Sequence, residues 1–166
     1  MSVEATLIII KPDAIAKNLT GGVLERLGRL PAAIIGAKAT RVSRALAGEH
    51  YAALSRKPFF NDLLKHLCGE LHRVDYVLAF VYAGPGVVAS AREAAGATNP
   101  DNADPRSLRG AYGRNTAEGI MENVLHASSD AREAEREIKL WFRPEELLMP
   151  LYPSRPDPST PRLVWA

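Results

Sequence analysis

"TLIIIKPDAI" (residues 6–15) is the stretch on which the reading of this chain turns. Leu7, Ile8, Ile9 and Ile10 run without a polar interruption, the pattern of a strand buried on both faces. The run then delivers Lys11, Pro12 and Asp13. A central strand that ends on a cation and a carboxylate, with proline fixing the backbone at that point, marks a candidate site.

Outward from that strand, "GGVLERLGRL" (21–30) spaces Val23, Leu24, Leu27 and Leu30 as one face of a helix. "AAIIGAKATRV" (32–42) reads as a second strand after Pro31. "SRALAGEHYAAL" (43–54) is a short helix with Ser43 as N-cap, and "PFFNDLLKHL" (58–67) a second, with Pro58 in its first turn. "DYVLAFVYAG" (75–84) is a third strand, apolar enough to be central. "GPGVVASAREAAG" (84–96) is a helix with Pro85 in its first turn, Val87, Val88, Ala91 and Ala95 inward, and Gly96 as its stop. Residues 97–122 lack periodicity and are rich in Asn, Asp, Pro and Gly, so they read as a long functional loop. "NVLH" (123–126) is a short strand ending on His126. "SSDAREAEREIKLWF" (128–142) is the clearest helix, capped by Ser129 or Asp130, with Ala131, Ala134, Ile138 and Trp141 as its stripe and Glu135 facing Lys139.

This order suits an α+β domain in which a four-stranded antiparallel sheet is covered by helices on one face, the ferredoxin-like plan. A doubly wound parallel sheet fits the same order, and periodicity does not separate the two. Residues 1–147 form one domain on this reading, and 148–166 an irregular Pro-rich tail packed on the domain or on a neighbouring subunit.

A chain of 166 residues, 46% apolar, is long enough for one domain with a real core. The net charge of +2, with both signs interspersed, argues against a dedicated surface for nucleic acid or membrane but allows a local positive pocket. Cys68 stands alone, which fits a reducing compartment. "MSVEATLIII" (1–10) has no basic leader and its apolar run is too short to cross a bilayer, so a soluble, cytoplasmic protein is expected.

His126 lies between a short strand and a helix start, where free N–H groups favour an anion beside the ring. Neutral imidazole is a nucleophile near pH 7, so a phosphate-accepting histidine is one reading and a hydrogen-bonded core histidine the other. His50, His66 and His72 have no such setting and are read as surface residues. No glycine-rich phosphate loop is present, so phosphates would fall to scattered cations such as Lys11, Arg92 and Arg109. Phe59 or Phe60 could stack on a base from a pocket rim. Metal-ligand spacings are absent.

"TLIIIKPDAI", "HYAALSRKPFFNDLLK" (50–65), "GATNPDNADPRSLRGAYG" (96–113), "ENVLHASSD" (122–130) and "AEREIKLWF" (134–142) occur in the order and near the spacing of one family. From Thr6 to Leu147 the chain resembles a nucleoside diphosphate kinase. The resemblance implies the ferredoxin-like βαββαβ fold. It implies that His126 is phosphorylated on Nδ1 and that Glu137 orients its ring. Lys11, Tyr51, Arg92, Thr98, Arg109 and Asn123 match residues around the phosphates and sugar, and Phe59 and Leu63 match an apolar clamp on the base. The implied reaction carries a γ-phosphate from a nucleoside triphosphate to a diphosphate by ping-pong kinetics, with little base specificity. Mg²⁺ arrives on the nucleotide rather than on protein ligands, and the implied assembly is a homo-oligomer, hexamer or tetramer.

This sequence departs from the family pattern in three places. The acidic residue after the histidine is displaced by one position, as Ser129-Asp130. "CGELHRVDY" (68–76) and "GRNTAEGIME" (113–122) are longer than usual, with insertions at about 69–75 and 113–122, and Glu122 stands where arginine is common. Both insertions are expected to be surface or oligomer-contact changes. A binding or regulatory protein on the same fold, with weak or no transfer activity, is the second hypothesis. An RNA-binding sheet fits badly, because the strands lack its aromatic pattern.

Overall fold

The computed structural model describes residues 3–166. The first strand is β1 (Glu4–Ile10), buried from Ala5 to Ile10. Its side chains alternate between two cores. Leu7 and Ile9 pack with Val77, Val81, Ile138 and Trp141, whereas Ile8 and Ile10 pack with Val23, Val87, Leu108 and Leu125. Each such side chain stabilises the fold by roughly 1.5–3 kcal/mol at full burial.

The chain continues through α1 (Pro12–Ala16), with Pro12 in its first turn, α2 (Thr20–Leu27) and β2 (Ala33–Thr40). It then forms α3 (Arg44–His50), α4 (Phe60–Leu67), β3 (Val77–Gly84) and α5 (Val87–Ala95). After α6 (Leu108–Tyr112) come β4 (Arg114–Asn115), β5 (Met121–Glu122), β6 (Leu125–Ala127) and α7 (Ala131–Trp141). The main sheet has the order β2-β3-β1-β6 and every pairing in it is antiparallel. That is the ferredoxin-like plan, and it removes the parallel alternative. The helices, however, cover both faces: α3, α4 and α7 belong to one core, α2 and α5 to the other. A central strand that is apolar at every position requires both layers.

Several local expectations change. Pro58 precedes the N-cap Phe59 of α4, and Pro85 precedes Gly86, the left-handed N-cap of α5, so neither proline lies inside a helix. The stretch 97–122 is not one loop, because it holds a 3₁₀ turn at Pro100–Asn102, α6 and the β4–β5 hairpin. Ala131 is exposed, and the buried side of α7 is Ala134, Glu137, Ile138 and Trp141. The Pro-rich end forms a hairpin, β7 (Ser154–Pro156) with β8 (Leu163–Trp165). Trp165 donates its indole N–H to the Phe142 carbonyl at 2.8 Å, and Leu151 and Tyr152 pack on the same core. Among the described residues no helix is long and apolar enough to cross a membrane.

Candidate active site

β1 and β6 bring the two motifs together. In their antiparallel register Ile9 faces His126 and Ile10 faces Leu125, so the end of β1 lies beside the start of β6. The Lys11 backbone N–H then donates to the Val124 carbonyl at 2.9 Å. His126 is the middle residue of β6 rather than its end, and it faces α7 as Ile9 does. Its partner is not the start of α7. His126 Nε2 meets Glu137 Oε2 at 2.9 Å, deep in the helix, while Asp130 caps the first turn by accepting from the Glu133 N–H.

Glu137 Oε2 also accepts the Ser128 hydroxyl at 2.6 Å, and Ser128 Oγ in turn accepts the Leu7 N–H at 3.1 Å. The carboxylate is therefore built into the sheet, and burial pushes its pKa up. Facing an acceptor, His126 carries its proton on Nε2 and leaves a lone pair on Nδ1. Burial, with Lys11, Arg109, Arg136 and Arg92 around it, lowers the His126 pKa to about 3, so the ring is neutral at pH 7.

The cations are fixed from the backbone. Lys11 Nζ donates to Asn123 Oδ1 at 2.7 Å, and burial lowers its pKa to about 8. Asn123 Nδ2 holds the Thr98 carbonyl at 3.0 Å. Arg109 donates to the carbonyls of Gly96, Leu125 and Asn123 at 2.9, 2.9 and 3.3 Å. These bonds occupy one N–H on each guanidinium nitrogen and leave one on each terminal nitrogen free for an oxyanion. Burial and the neighbouring Arg92 lower Arg109 to about 10. Gly96 can offer its carbonyl because its backbone is left-handed and a Cβ there would stand 2.2 Å from Ser107 Oγ.

Tyr51 is ringed by the charges of Glu137, Arg109 and Asp13, and burial raises its pKa. Lys11, Arg109 and Glu137 thus gather around His126, Tyr51 stands beside His50, and Arg92 and Thr98 lie at the exposed margin. Phe59 and Leu63 stand apart from this polar cluster. They share one side of α4, four residues apart, and His66 one turn later bonds Asp13 next to Lys11. Phe59, 48% exposed, thus sits at the outer end of a helix whose inner end meets the pocket.

The other three histidines are not surface residues. His50 packs edge-on against His126 with ring centroids 4.4 Å apart, and its Nδ1 accepts the Trp141 indole N–H at 3.2 Å. His66 bonds Asp13 and His72 bonds Glu122. All three partners are distant in sequence, so no local pattern could reveal them. Asp13, which the sequence marks only as a carboxylate just past the first strand, is 1% exposed.

His50, His126 and Glu137 are the one group of three potential metal ligands among the described residues, within 4.8 Å of one another. Trp141 occupies the His50 Nδ1 lone pair, so neutral His50 holds its proton on Nε2 and cannot ligate there. The groups whose charge reaches His126 are instead cations, Lys11, Arg109, Arg136 and Arg92, suited to phosphate oxygens.

A family model described as nucleoside diphosphate kinase matches residues 4–147. A nucleoside diphosphate kinase of Desulfitobacterium hafniense is 42% identical over 144 residues, 87% of this chain and 91% of that protein. One of Thermus thermophilus is 43% identical over 145 residues, 87% of this chain and 99% of that protein. Among solved structures, a transition-state mimic of the Borrelia burgdorferi enzyme with vanadate and ADP superposes with a TM-score of 0.79 at 31% identity, covering 89% of this chain and 91% of that one. A Halobacterium salinarum enzyme in complex with CDP gives 0.79 at 33%, covering 88% and 91%. Matched over most of its length by the family model and by these relatives, and built on the same sheet around a half-buried histidine, the chain belongs to the nucleoside diphosphate kinase family, phosphotransferases that act on nucleotides.

Proposed function

We propose that His126 Nδ1 is the nucleophile of this kinase, and the observation that carries it is the Nε2–Glu137 bond. That bond leaves Nδ1 without a hydrogen-bond partner, on a ring that feels the charges of Lys11 and Arg109. Nδ1 attacks the γ-phosphorus of a nucleoside triphosphate in line. The N–P bond forms as the bond to the bridging oxygen breaks, and the electron pair leaves with the diphosphate. The ring gains positive charge, which the Glu137 carboxylate offsets through the Nε2–H. Lys11 and the two free N–H groups of Arg109 meet the oxygens of the transferring group, with Arg92 further out. Tyr51, Thr98 and Asn123 position phosphates and sugar, and Phe59 and Leu63 hold the base by apolar contact alone, which suits low base specificity. A second diphosphate takes the group by the reverse path.

Family members use a divalent cation. We assign Mg²⁺, borne by the nucleotide phosphates, since the pocket offers cations where a protein-held hard cation needs carboxylates. When bound, it neutralises phosphate charge.

The test is transfer from γ-labelled ATP with Mg²⁺. An acid-labile label that a nucleoside diphosphate removes is expected on the wild type, and none on His126→Ala. An unlabelled wild type, or equal label on the variant, would sink this reading.

We further assign residues 1–147 to the kinase domain and 148–166 to a strap on it, in a cytoplasmic homo-oligomer, hexamer or tetramer. Support comes from the β2 edge, where Ile34 is exposed and the adjoining Leu148, bonded through its N–H to Ile35, is also bare. Sedimentation velocity reads the assembly, and a monomer at micromolar concentration would overturn it.

A further inference from the structure

Four titratable side chains beside the pocket, Asp13, His66, His72 and Glu122, have no part in the transfer chemistry, and they form one row. Asp13 Oδ2 accepts the Val124 N–H at 2.9 Å, and its Oδ1 meets His66 Nε2 at 3.0 Å. The rings of His66 and His72 lie 5.0 Å apart. His72 Nε2 meets Glu122 Oε1 at 2.9 Å, and Glu122 Oε2 accepts from Arg114 Nε at 2.6 Å and from Lys17.

The row begins on Val124 and ends on Glu122, the two neighbours of Asn123. Asn123 holds the Lys11 ammonium, and the Val124 carbonyl holds the Lys11 backbone N–H. Val124 has φ +71°, a left-handed conformation that a β-branched residue keeps only where its surroundings hold it. The two insertions supply much of what holds it: His72 comes from 69–75, Arg114 and Glu122 from 113–122. Glu122 is 4% exposed, so the insertions meet at a buried carboxylate and are not independent surface changes.

We propose that the 69–75 turn and the 113–122 hairpin clamp the Asn123–Val124 backbone through this row, making Asp13, His66, His72 and Glu122 positioning residues for Lys11 in phosphoryl transfer. The inference rests on the phosphate-binding role given to Lys11 above.

The experiment is kcat/KM against pH for the wild type, His72→Ala, Glu122→Gln and their double variant. Each single variant is expected to lose about tenfold, since a displacement of order 1 Å in a reacting group can cost about 10²-fold. The double variant should fall no more than about twofold below the worse single, because both act through one contact. Burial lowers the Lys11 pKa to about 8, so the basic limb of the profile should report it. Loosening the clamp lets water reach Lys11, so the limb should move to higher pH in both singles. Merely structural damage would lower the rate and leave the limb in place. Wild-type kcat/KM in His72→Ala, or a lowered rate with an unmoved limb, overturns the clamp. His72→Ala removes one hydrogen bond and one ring contact, and it keeps the test open should Glu122→Gln fail to fold. Wild-type transfer by Lys11→Ala would overturn the role of Lys11 itself, a separate failure.

Discussion

Trp141 donates its indole N–H to Nδ1 of His50, and this bond decides which nitrogen of His50 carries the proton. The remaining N–H, on Nε2, has no hydrogen-bond partner among the described residues, and the ring stands edge-on to His126. A neutral histidine is thereby packed against the nucleophile. Burial, with His126 beside it, holds the His50 pKa well below its ordinary value, so it adds no charge there.

Trp141→Phe keeps the aromatic packing and leaves a buried acceptor unpaired. A loss of about 1–3 kcal/mol is expected, read as a lower urea midpoint with an unchanged slope. An unchanged midpoint would show that the bond contributes nothing.

The pH dependence of catalysis follows from two groups of the free enzyme. His126 is deprotonated above about 3 and Lys11 protonated below about 8, so kcat/KM should hold between those values and fall as pH rises through 8. Stability has a different profile. His126 and His66 are depressed below their unfolded pKa and Asp13 is held at about 2, so the unfolded chain binds more protons at acid pH. The stability these three groups contribute is thus fully present above about 6.5 and declines as pH falls below it. His126→Gln should flatten that decline in urea titrations between pH 4 and 7. An equally steep decline in the variant would show that His126 is not buried neutral.

Arg109 has a double duty that a lysine cannot reproduce. Its guanidinium ties the end of α5, through Gly96, to the segment leading into β6. Arg109→Lys keeps the charge but makes fewer of the three carbonyl bonds. A fall in kcat/KM of about 10² is expected, together with a lower melting temperature. A variant with wild-type kinetics would remove Arg109 from the phosphate site.

The sequence carried the frame of this molecule and missed its interior wiring, for one physical reason. β1, β3 and α7 announce themselves because hydrophobic periodicity is local, and an unbroken Leu7–Ile10 run admits few alternatives. Choosing the antiparallel plan took the family resemblance, because pairing is non-local. The residues behind His126 are wired across long separations: His50 to Trp141, His66 to Asp13, His72 to Glu122. A histidine on a polar stretch looks solvated until its partner arrives from another element. Likewise α6 hides in a Pro- and Asn-rich stretch, where Ser107 caps it by accepting the Gly110 N–H.

The displaced acid gives the last prediction. Asp130 stands one position later than the family pattern, and here its side chain accepts the Glu133 N–H at 2.9 Å as the N-cap of α7. An N-cap carboxylate satisfies an otherwise free donor and lies favourably in the helix dipole. Its exposed carboxylate bonds the Glu133 N–H and the Ser129 hydroxyl, and no hydrogen bond joins it to Lys11, Arg109 or His126. Asp130→Ala should therefore lower stability by about 1 kcal/mol and leave kcat/KM and its Mg²⁺ dependence unchanged. Asp130→Asn should recover most of the stability, because the amide oxygen caps as well. A shifted Mg²⁺ dependence in Asp130→Ala, at full folding, would instead place this carboxylate beside the nucleotide-borne cation.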